Sequence, residues 1–440
     1  MRIAVAGDGI AAHLAALMLA RVASVVSVPV GAGGHGLGPV GETVLGTPAW
    51  MEGEVAAAIG DLPGAVPALG IAFAGWSAEP WFLPHGDVGA PLDDVPFAQL
   101  AERVRAEGTP VRASVFSLAA MAAQAGRFAP RSADPRSPLS TLRPGAIYPA
   151  AALAGRLADM AARAGVERAA PLAAPMGSDD RLTLTNGTQL SADLFVDASG
   201  GAAGIAAAGW VSWRDWLPCC RVASRRIADA GGPAAYPLHA ATPSGWQATV
   251  ALGGTRVETR YTAAGEGEPY ENGRRTKTWT GRRVAIGAAA GVIEPSLGHA
   301  LQHAHDAVLR LIALLPAAGS DGGAEATEYH RLTAQQYDRA RDAAVALWLT
   351  AGRPAAAPST ELARKLALHR RRGYLPLEDG ECLSRDEWAV LLDGQGVRQE
   401  RPDPLAAALP PPAVAAHLAR LRERLVATVA AMPPLAGGGR

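Results

Sequence analysis

The stretch Arg2-Ile3-Ala4-Val5-Ala6-Gly7-Asp8-Gly9-Ile10-Ala11-Ala12 decides the fold. Its first five residues form a short apolar run, the pattern of a parallel strand buried on both faces. A helix-like segment runs on to about Val22, and Val25 to Val30 reads as a second strand, giving a βαβ opening. Gly7-x-Gly9-x-x-Ala12 is a dinucleotide fingerprint in its proper context, after a strand and before a helix. The first glycine permits the tight turn, the second lets backbone approach a pyrophosphate, and the small third residue lets helix pack on strand. The helix N-terminus supplies N–H groups to the phosphates. One expected part is missing: the second strand reads Val26-Ser27-Val28-Pro29, with no acid for ribose hydroxyls.

Two later stretches repeat the strand-to-turn pattern. Asp193-Leu-Phe-Val-Asp197-Ala-Ser-Gly200 is an apolar strand entering a small-residue turn. Val284-Ala-Ile-Gly287-Ala288-Ala-Ala-Gly291 repeats it, and Glu294-Pro295 and Gly298 lead into a helix. Three such units predict an FAD-binding sheet assembled from distant segments.

Composition limits the alternatives. Forty-one basic residues balance 41 acidic ones, and two lysines, Lys277 and Lys365, leave 39 arginines. A neutral chain without a basic cluster lacks the footprint of a nucleic-acid binder. Three cysteines, Cys219, Cys220 and Cys382, cannot build a disulfide framework and point to a reducing compartment. No run of 18 uncharged apolar residues predicts a membrane span. Asp8 and His13 interrupt the apolar N-terminus, which argues against an export signal. The expectation is a cytoplasmic protein of 440 residues with no nucleic-acid or membrane partner.

Further along, Ala113 to Phe128 and Ala151 to Gly165 read as helical, and Arg181 to Leu190 as a hairpin about Asn186-Gly187 with a type I′ turn. Trp210 to Thr262 alternates as strands do, a long helix covers roughly Leu301 to Leu315, and the chain is mostly helical from Glu328. The fold class is therefore α/β: a discontinuous Rossmann-type FAD-binding domain, a β-rich substrate domain and a C-terminal helical extension. The FAD domain is expected over 1–60, 111–205 and 280–325, the β-rich domain over 61–110 and 206–279, and the helical region over 326–440.

These motifs resemble those of the flavin-dependent tryptophan halogenases, within the p-hydroxybenzoate-hydroxylase-type flavoproteins. Val40-Gly41-Glu42-Thr43 resembles that family's Gly-Val-Gly-Glu loop, and Leu69 to Trp76 its core strand. Asp193 to Gly200 resembles Asp-Leu-Phe-Ile-Asp-Cys-Ser-Gly, and Leu217 to Arg221 resembles Leu-Pro-Cys-Asp-Arg. Ser244-Gly245-Trp246 resembles the Trp-x-Trp-x-Ile-Pro region. Lys277 to Pro295, Tyr337 with Arg341-Asp342, and Trp388 with Gly394-x-Gly396 continue the match. The resemblance implies FAD held by Gly7, Gly9, Ala12, Gly41, Glu42, Thr43, Asp197, Gly200, Gly287, Ala288, Pro295 and Gly298, with His299 and Trp246 as candidate catalytic residues.

The departures bear on chemistry. The lysine that precedes the core strand in the halogenases is Ala68 here. Their Glu-Pro-Leu-Glu-Ser-Thr-Gly loop reads Glu294-Pro295-Ser296-Leu297-Gly298-His299-Ala300, so the second glutamate is Leu297. The second tryptophan of Trp-x-Trp is absent from Gln247-Ala248-Thr249-Val250. The resemblance then implies an FAD-dependent monooxygenase acting through a flavin C4a-hydroperoxide. Its substrate would be an indole or a tryptophan, within a peptide or small protein subunit, with molecular oxygen as co-substrate. The nearest likeness is to flavoprotein monooxygenases of quinohemoprotein amine dehydrogenase and tryptophylquinone biogenesis. Reduction would come from NAD(P)H directly or from a partner flavin reductase. A halogenase or small-molecule hydroxylase of secondary metabolism, and a non-catalytic flavoprotein maturation factor, are the alternatives.

Other features have blander expectations. His299 and His303 share a helix face, but no nearby Glu or Cys completes a metal set, and no metal is expected. Trp210, Trp213 and Trp216 fit core packing better than a substrate wall. Cys219-Cys220 read as small buried hydrophobes, and Arg370-Arg371-Arg372 as a solvated face.

Overall fold

The computed structural model describes all residues except 32–33, 177–179, 202–203, 206–208, 230, 253, 318–321, 354–355 and 436–440. The chain forms two compact units, each built from three segments: 1–63, 148–223 and 261–341 in the first, and 64–147, 224–260 and 342–440 in the second.

The first unit is organised about a six-stranded sheet in the order Trp279–Thr280, Arg283–Ala285, Leu194–Asp197, Arg2–Ala6, Ser24–Val28, Glu167–Arg168. All neighbours are parallel except the Trp279–Thr280 edge. Register aligns the strand ends: Ala6 pairs with Val28 on one side and Asp197 on the other, and Asp197 pairs with Ala285. The central strand is buried over Ile3 to Ala6, and the neighbouring Leu194–Asp197 is buried throughout, as the continuous apolar runs require. Helix Ile10–Leu19 buries nine of its ten residues and packs against helices Ala150–Arg163 and Ala300–Ala313.

The hairpin of Leu182–Thr183 with Gln189–Leu190 is present, but its turn is not type I′. Gly187 has φ +83°, while Asn186 is not left-handed. The Asn186 side chain instead accepts the Thr188 N–H at 3.1 Å, so asparagine serves here as a local acceptor.

The second unit contains sheet strands Trp81–Pro84, Gly70–Ala74, Leu238–Thr242 and Gly245–Ala251, adjacent in that order. Gly70–Ala74 runs antiparallel to Trp81–Pro84 and parallel to Leu238–Thr242. Helix Arg385–Gly394 packs against the edge strand, close enough that a Cβ on Gly394 would lie 2.4 Å from the Trp81 ring. Helices Leu118–Gln124 and Pro411–Ala431 close a separate core around Leu69, Phe82 and Leu142. Among the described residues, no helix is long and apolar enough to cross a membrane.

Candidate functional site

Three turns meet at the carboxyl ends of the parallel strands in the first unit. This is where open α/β sheets bind ligands, between strands whose connections diverge to opposite sides. Gly7 has φ +140°, and a Cβ there would lie 2.8 Å from Ala12 Cβ and 3.0 Å from the Ala198 carbonyl. Gly36 (φ +67°) would place a Cβ 2.4 Å from that same carbonyl, and Gly287 (φ +60°) would place one 2.3 Å from the Gly36 oxygen. The Ala288 N–H donates to Gly36 O at 2.8 Å, and the Ala11 N–H to His35 O at 3.1 Å. Backbone therefore packs on backbone, with no room for side chains between the turns. Gly9 opens helix Ile10–Leu19 without a side-chain cap.

The missing acid of the second strand has a counterpart. Asp8 Oδ2 accepts the Val30 N–H at 2.7 Å and the Gly31 N–H at 2.9 Å, and Arg168 lies 3.7 Å from Oδ1. An acid inside the fingerprint thus satisfies the donors just beyond strand Ser24–Val28. Its residue type was visible in the sequence, but its reach across 22 positions was not.

Asp197 is wholly buried, and its Oδ1 accepts the Ser199 N–H at 3.1 Å and hydroxyl at 2.6 Å. It shapes the turn that Gly200, with φ +78°, continues. The Gly287 turn is held from behind by helix Gly323–Thr350: Tyr329 donates to Ala285 O at 3.1 Å and Tyr337 to Gly287 O at 3.0 Å. Burial raises both phenol pKa values, so the hydroxyls remain donors across the ordinary range. Sequence reasoning gave neither tyrosine this role, because helical spacing alone does not identify the carbonyl a phenol reaches.

Gly41 (φ +68°), Glu42 and Thr43 are half-buried ahead of strand Thr43–Gly46, and Glu42 O accepts the Ala150 N–H at 2.9 Å. Beyond the third turn, Pro295–Leu297 forms a single 3-10 turn closed by Gly298 at φ +77°. A Cβ on Gly298 would lie 2.4 Å from Leu45 Cδ2, so this loop lies directly on strand Thr43–Gly46. Buried Glu294 donates its N–H to Asn272 Oδ1 at 2.7 Å, while the Asn272 amide donates to Leu217 O and Cys219 O. One asparagine thereby ties the Leu217-Pro-Cys segment to the loop. Leu297 is buried as well. His299 is half-buried at the N-cap of helix Ala300–Ala313, its ring 6.0 Å from that of His303. Burial lowers the His303 pKa to about 4.

Of the three regularly spaced tryptophans, Trp213 is wholly buried; Arg341 lies 5.4 Å from its ring centroid and 5.0 Å from that of Trp216, while Arg275 lies 5.8 Å from Trp210. Cys219 is buried and Cys220 half-buried, both as free thiols. Among the described residues, no group of three or more metal-ligating side chains comes together.

Ala68 and Trp246 belong to the second unit. Ala68 is wholly buried, and its carbonyl lies 3.2 Å from His85 Nδ1. Burial brings the His85 pKa down to about 4. Trp246 is wholly buried, with its ring 4.9 Å from that of His239.

Comparisons with known proteins agree with this architecture. BrvH, a flavin-dependent halogenase from Brevundimonas sp. BAL3, superposes with a TM-score of 0.87 at 23% identity, covering 98% of this chain and 97% of that one. Xcc4156, a flavin-dependent halogenase from Xanthomonas campestris, gives 0.87 at 20% identity over 99% and 96%. A tryptophan 6-halogenase from Streptomyces toxytricini gives 0.82 at 19% identity over 99% and 98%. No curated protein matches the chain in sequence. At these identities the likeness establishes the fold, and the family is set by the sequence itself. The tryptophan halogenase model matches residues 2–265 and 255–411, spanning both the glycine turns and the aromatic unit, so the chain belongs to the tryptophan halogenase family.

Proposed function

We propose that this chain is a flavin-dependent enzyme of the halogenase type that modifies an electron-rich aromatic ring. The observation that carries the reading is the set of close-packed glycine turns at one sheet edge, in a chain matched by the tryptophan halogenase model almost throughout. The edge suits FAD: small residues, an uncapped helix N-terminus and left-handed glycines leave backbone as the contacting surface. Gly7, Gly9 and Ala12 would take the pyrophosphate. Gly41, Glu42, Thr43, Gly200, Gly287, Ala288, Pro295 and Gly298 would border the remainder, with Asp197 shaping its turn from beneath. Reduced FAD supplies the electrons that activate molecular oxygen. Those electrons come from NAD(P)H directly or from a partner flavin reductase. His299, following the Gly298 turn, would hold or move a proton near the reacting ring. Trp246, buried in the second unit, is the other candidate catalytic residue.

A second reading is favoured by one specific pair of residues. Ala68 and Leu297 are apolar and buried at the two positions where the family resemblance places a lysine and a glutamate. Neither can bind an oxidised halogen or polarise a ring. Oxygen transfer to the ring is then the simpler outcome, with hydroxylation of a tryptophan in a peptide or small subunit, as in tryptophylquinone maturation, as its narrowest form. The experiment is turnover of indole, tryptophan and a tryptophan-containing peptide with FAD, a flavin reductase, NADH, oxygen and bromide, read by mass. A bromine increment supports the first reading and an oxygen increment the second. Absence of any flavin-dependent product overturns both.

A further inference from the structure

The three turns at the carboxyl ends of the parallel strands share one neighbour, the backbone of Gly34-His35-Gly36. A Cβ on Gly9 would lie 2.4 Å from His35 C and 2.5 Å from Gly34 O, so this segment lies directly over the fingerprint. Gly36 meets the second turn at the Ala198 carbonyl, and its own oxygen meets the third turn at Gly287. Gly36 is buried and His35 half-buried.

The segment brings acceptors to these turns. His35 O accepts the Ala11 N–H at 3.1 Å, and Gly36 O accepts the Ala288 N–H at 2.8 Å. Ala11 is in the first turn of helix Ile10–Leu19, where backbone donors have no partner within the helix. Ala288 is in the short 3-10 turn Gly287–Ala289 that follows strand Arg283–Ala285. Donors at a helix opening and at a tight turn are those that phosphate oxygens use. Each N–H has one hydrogen to give. A dinucleotide phosphate and this segment therefore compete for the same donors.

The balance between them is set locally. A hydrogen bond to a phosphate is charge-assisted and stronger than one to a neutral carbonyl. Seating of the segment needs left-handed backbone at Gly34 (φ +58°) and Gly36 (φ +67°), which glycine alone adopts without strain. Upstream, Asp8 holds the Val30 and Gly31 N–H groups, so the end of the second strand stays pinned whether or not residues 34–36 are seated.

We propose that Gly34–Gly36 is a backbone plug in the dinucleotide site, which FAD displaces in order to bind. The plug rests on the reading of the glycine edge as an FAD site and adds its regulation. It keeps two buried donors satisfied when no phosphate holds them. It also lowers the apparent affinity for FAD by the fraction of chains in which the segment is unseated.

The test is FAD binding by the full chain, at equilibrium and by stopped flow, read by flavin fluorescence. Gly36→Ala would place a Cβ 2.4 Å from Ala198 O, whereas Gly34→Ala meets no atom within 4 Å and acts through its φ alone. Both disfavour seating. In the natural chain the observed binding rate should level off as FAD rises, because departure of the segment becomes limiting. Gly36→Ala should bind FAD about fivefold or more tighter, with a rate that keeps rising. Gly34→Ala should shift in the same direction by less. Thermal melts report whether each variant folds, and if Gly36→Ala does not, Gly34→Ala decides. Unchanged or weaker FAD binding in the folded variants, beside a natural chain that binds FAD, overturns the plug alone. Failure of all three chains to bind FAD overturns the plug and the flavin reading together.

Discussion

The glycine turns of the first unit and the aromatic cluster of the second are both densely packed, but by opposite means. At the sheet edge, Gly7, Gly36 and Gly287 bring backbone within contact of backbone, and any Cβ would collide. In the second unit, side chains make the contacts. Trp76 and Trp348 meet edge-on at 5.6 Å, and Arg353 lies 5.3 Å and 4.7 Å from their centroids. The same guanidinium donates to Thr242 O at 2.7 Å and Gly245 O at 2.9 Å. A site made of backbone tolerates no added atoms, whereas one made of side chains is weakened by removing them.

Four substitutions or titrations would break or sharpen this contrast. Gly287→Val should have the largest effect, since it adds a β-branched side chain at φ +60° and drives it into the Gly36 carbonyl. A loss of about 3–5 kcal/mol is expected in urea unfolding; a near-neutral result would end the distinction. Arg353→Met keeps the volume but removes two charged hydrogen bonds and two cation–π contacts, and should cost about 2–3 kcal/mol.

Acid should come next. His85 and His369 in the second unit are buried, with pKa values brought down to about 4 from an ordinary 6.5. Below pH 6.5 the unfolded chain takes up protons that these folded side chains refuse. Stability should therefore be flat with respect to them above 6.5 and fall towards pH 4.5 by on the order of 1–2 kcal/mol per histidine. His85→Gln should flatten that slope; an unchanged slope would remove His85 from the account. The smallest effect belongs to exposed Arg371 in the last turn of helix Thr360–Arg372. Arg371→Ser should cost about 0.5 kcal/mol or less by thermal melting.

The same contrast explains what was legible in the sequence. The strand-turn-helix units at Gly7, Asp197 and Gly287 were readable because glycine and small residues are required there locally, whatever lies elsewhere. Their assembly into one sheet followed from the apolar runs. Asp8 was legible as a residue but not as the group that satisfies Val30 and Gly31, because that depends on strand register. The aromatic unit was legible as strands with aromatic punctuation and no further. Nothing local joins Trp76 to Trp348. The two lysines illustrate this too. Lys365 is buried against Glu381, with its Nζ 4.4 Å from the Trp388 centroid, a structural arrangement that arginine-rich composition could not foretell. Ala68 is legible in the sequence only as an absent lysine, while the buried imidazole of His85 beside its carbonyl is visible only in the fold.

We propose that FAD binds at the glycine edge of the first unit in this member of the tryptophan halogenase family. FAD titration of the purified chain tests it most directly, comparing the natural protein with Gly9→Val, whose Cβ would lie 2.4 Å from His35 C. Stoichiometric FAD binding is expected, weakened at least tenfold in a variant whose thermal melt remains cooperative. An absence of FAD binding in the natural chain, or equal binding in the variant, would contradict it.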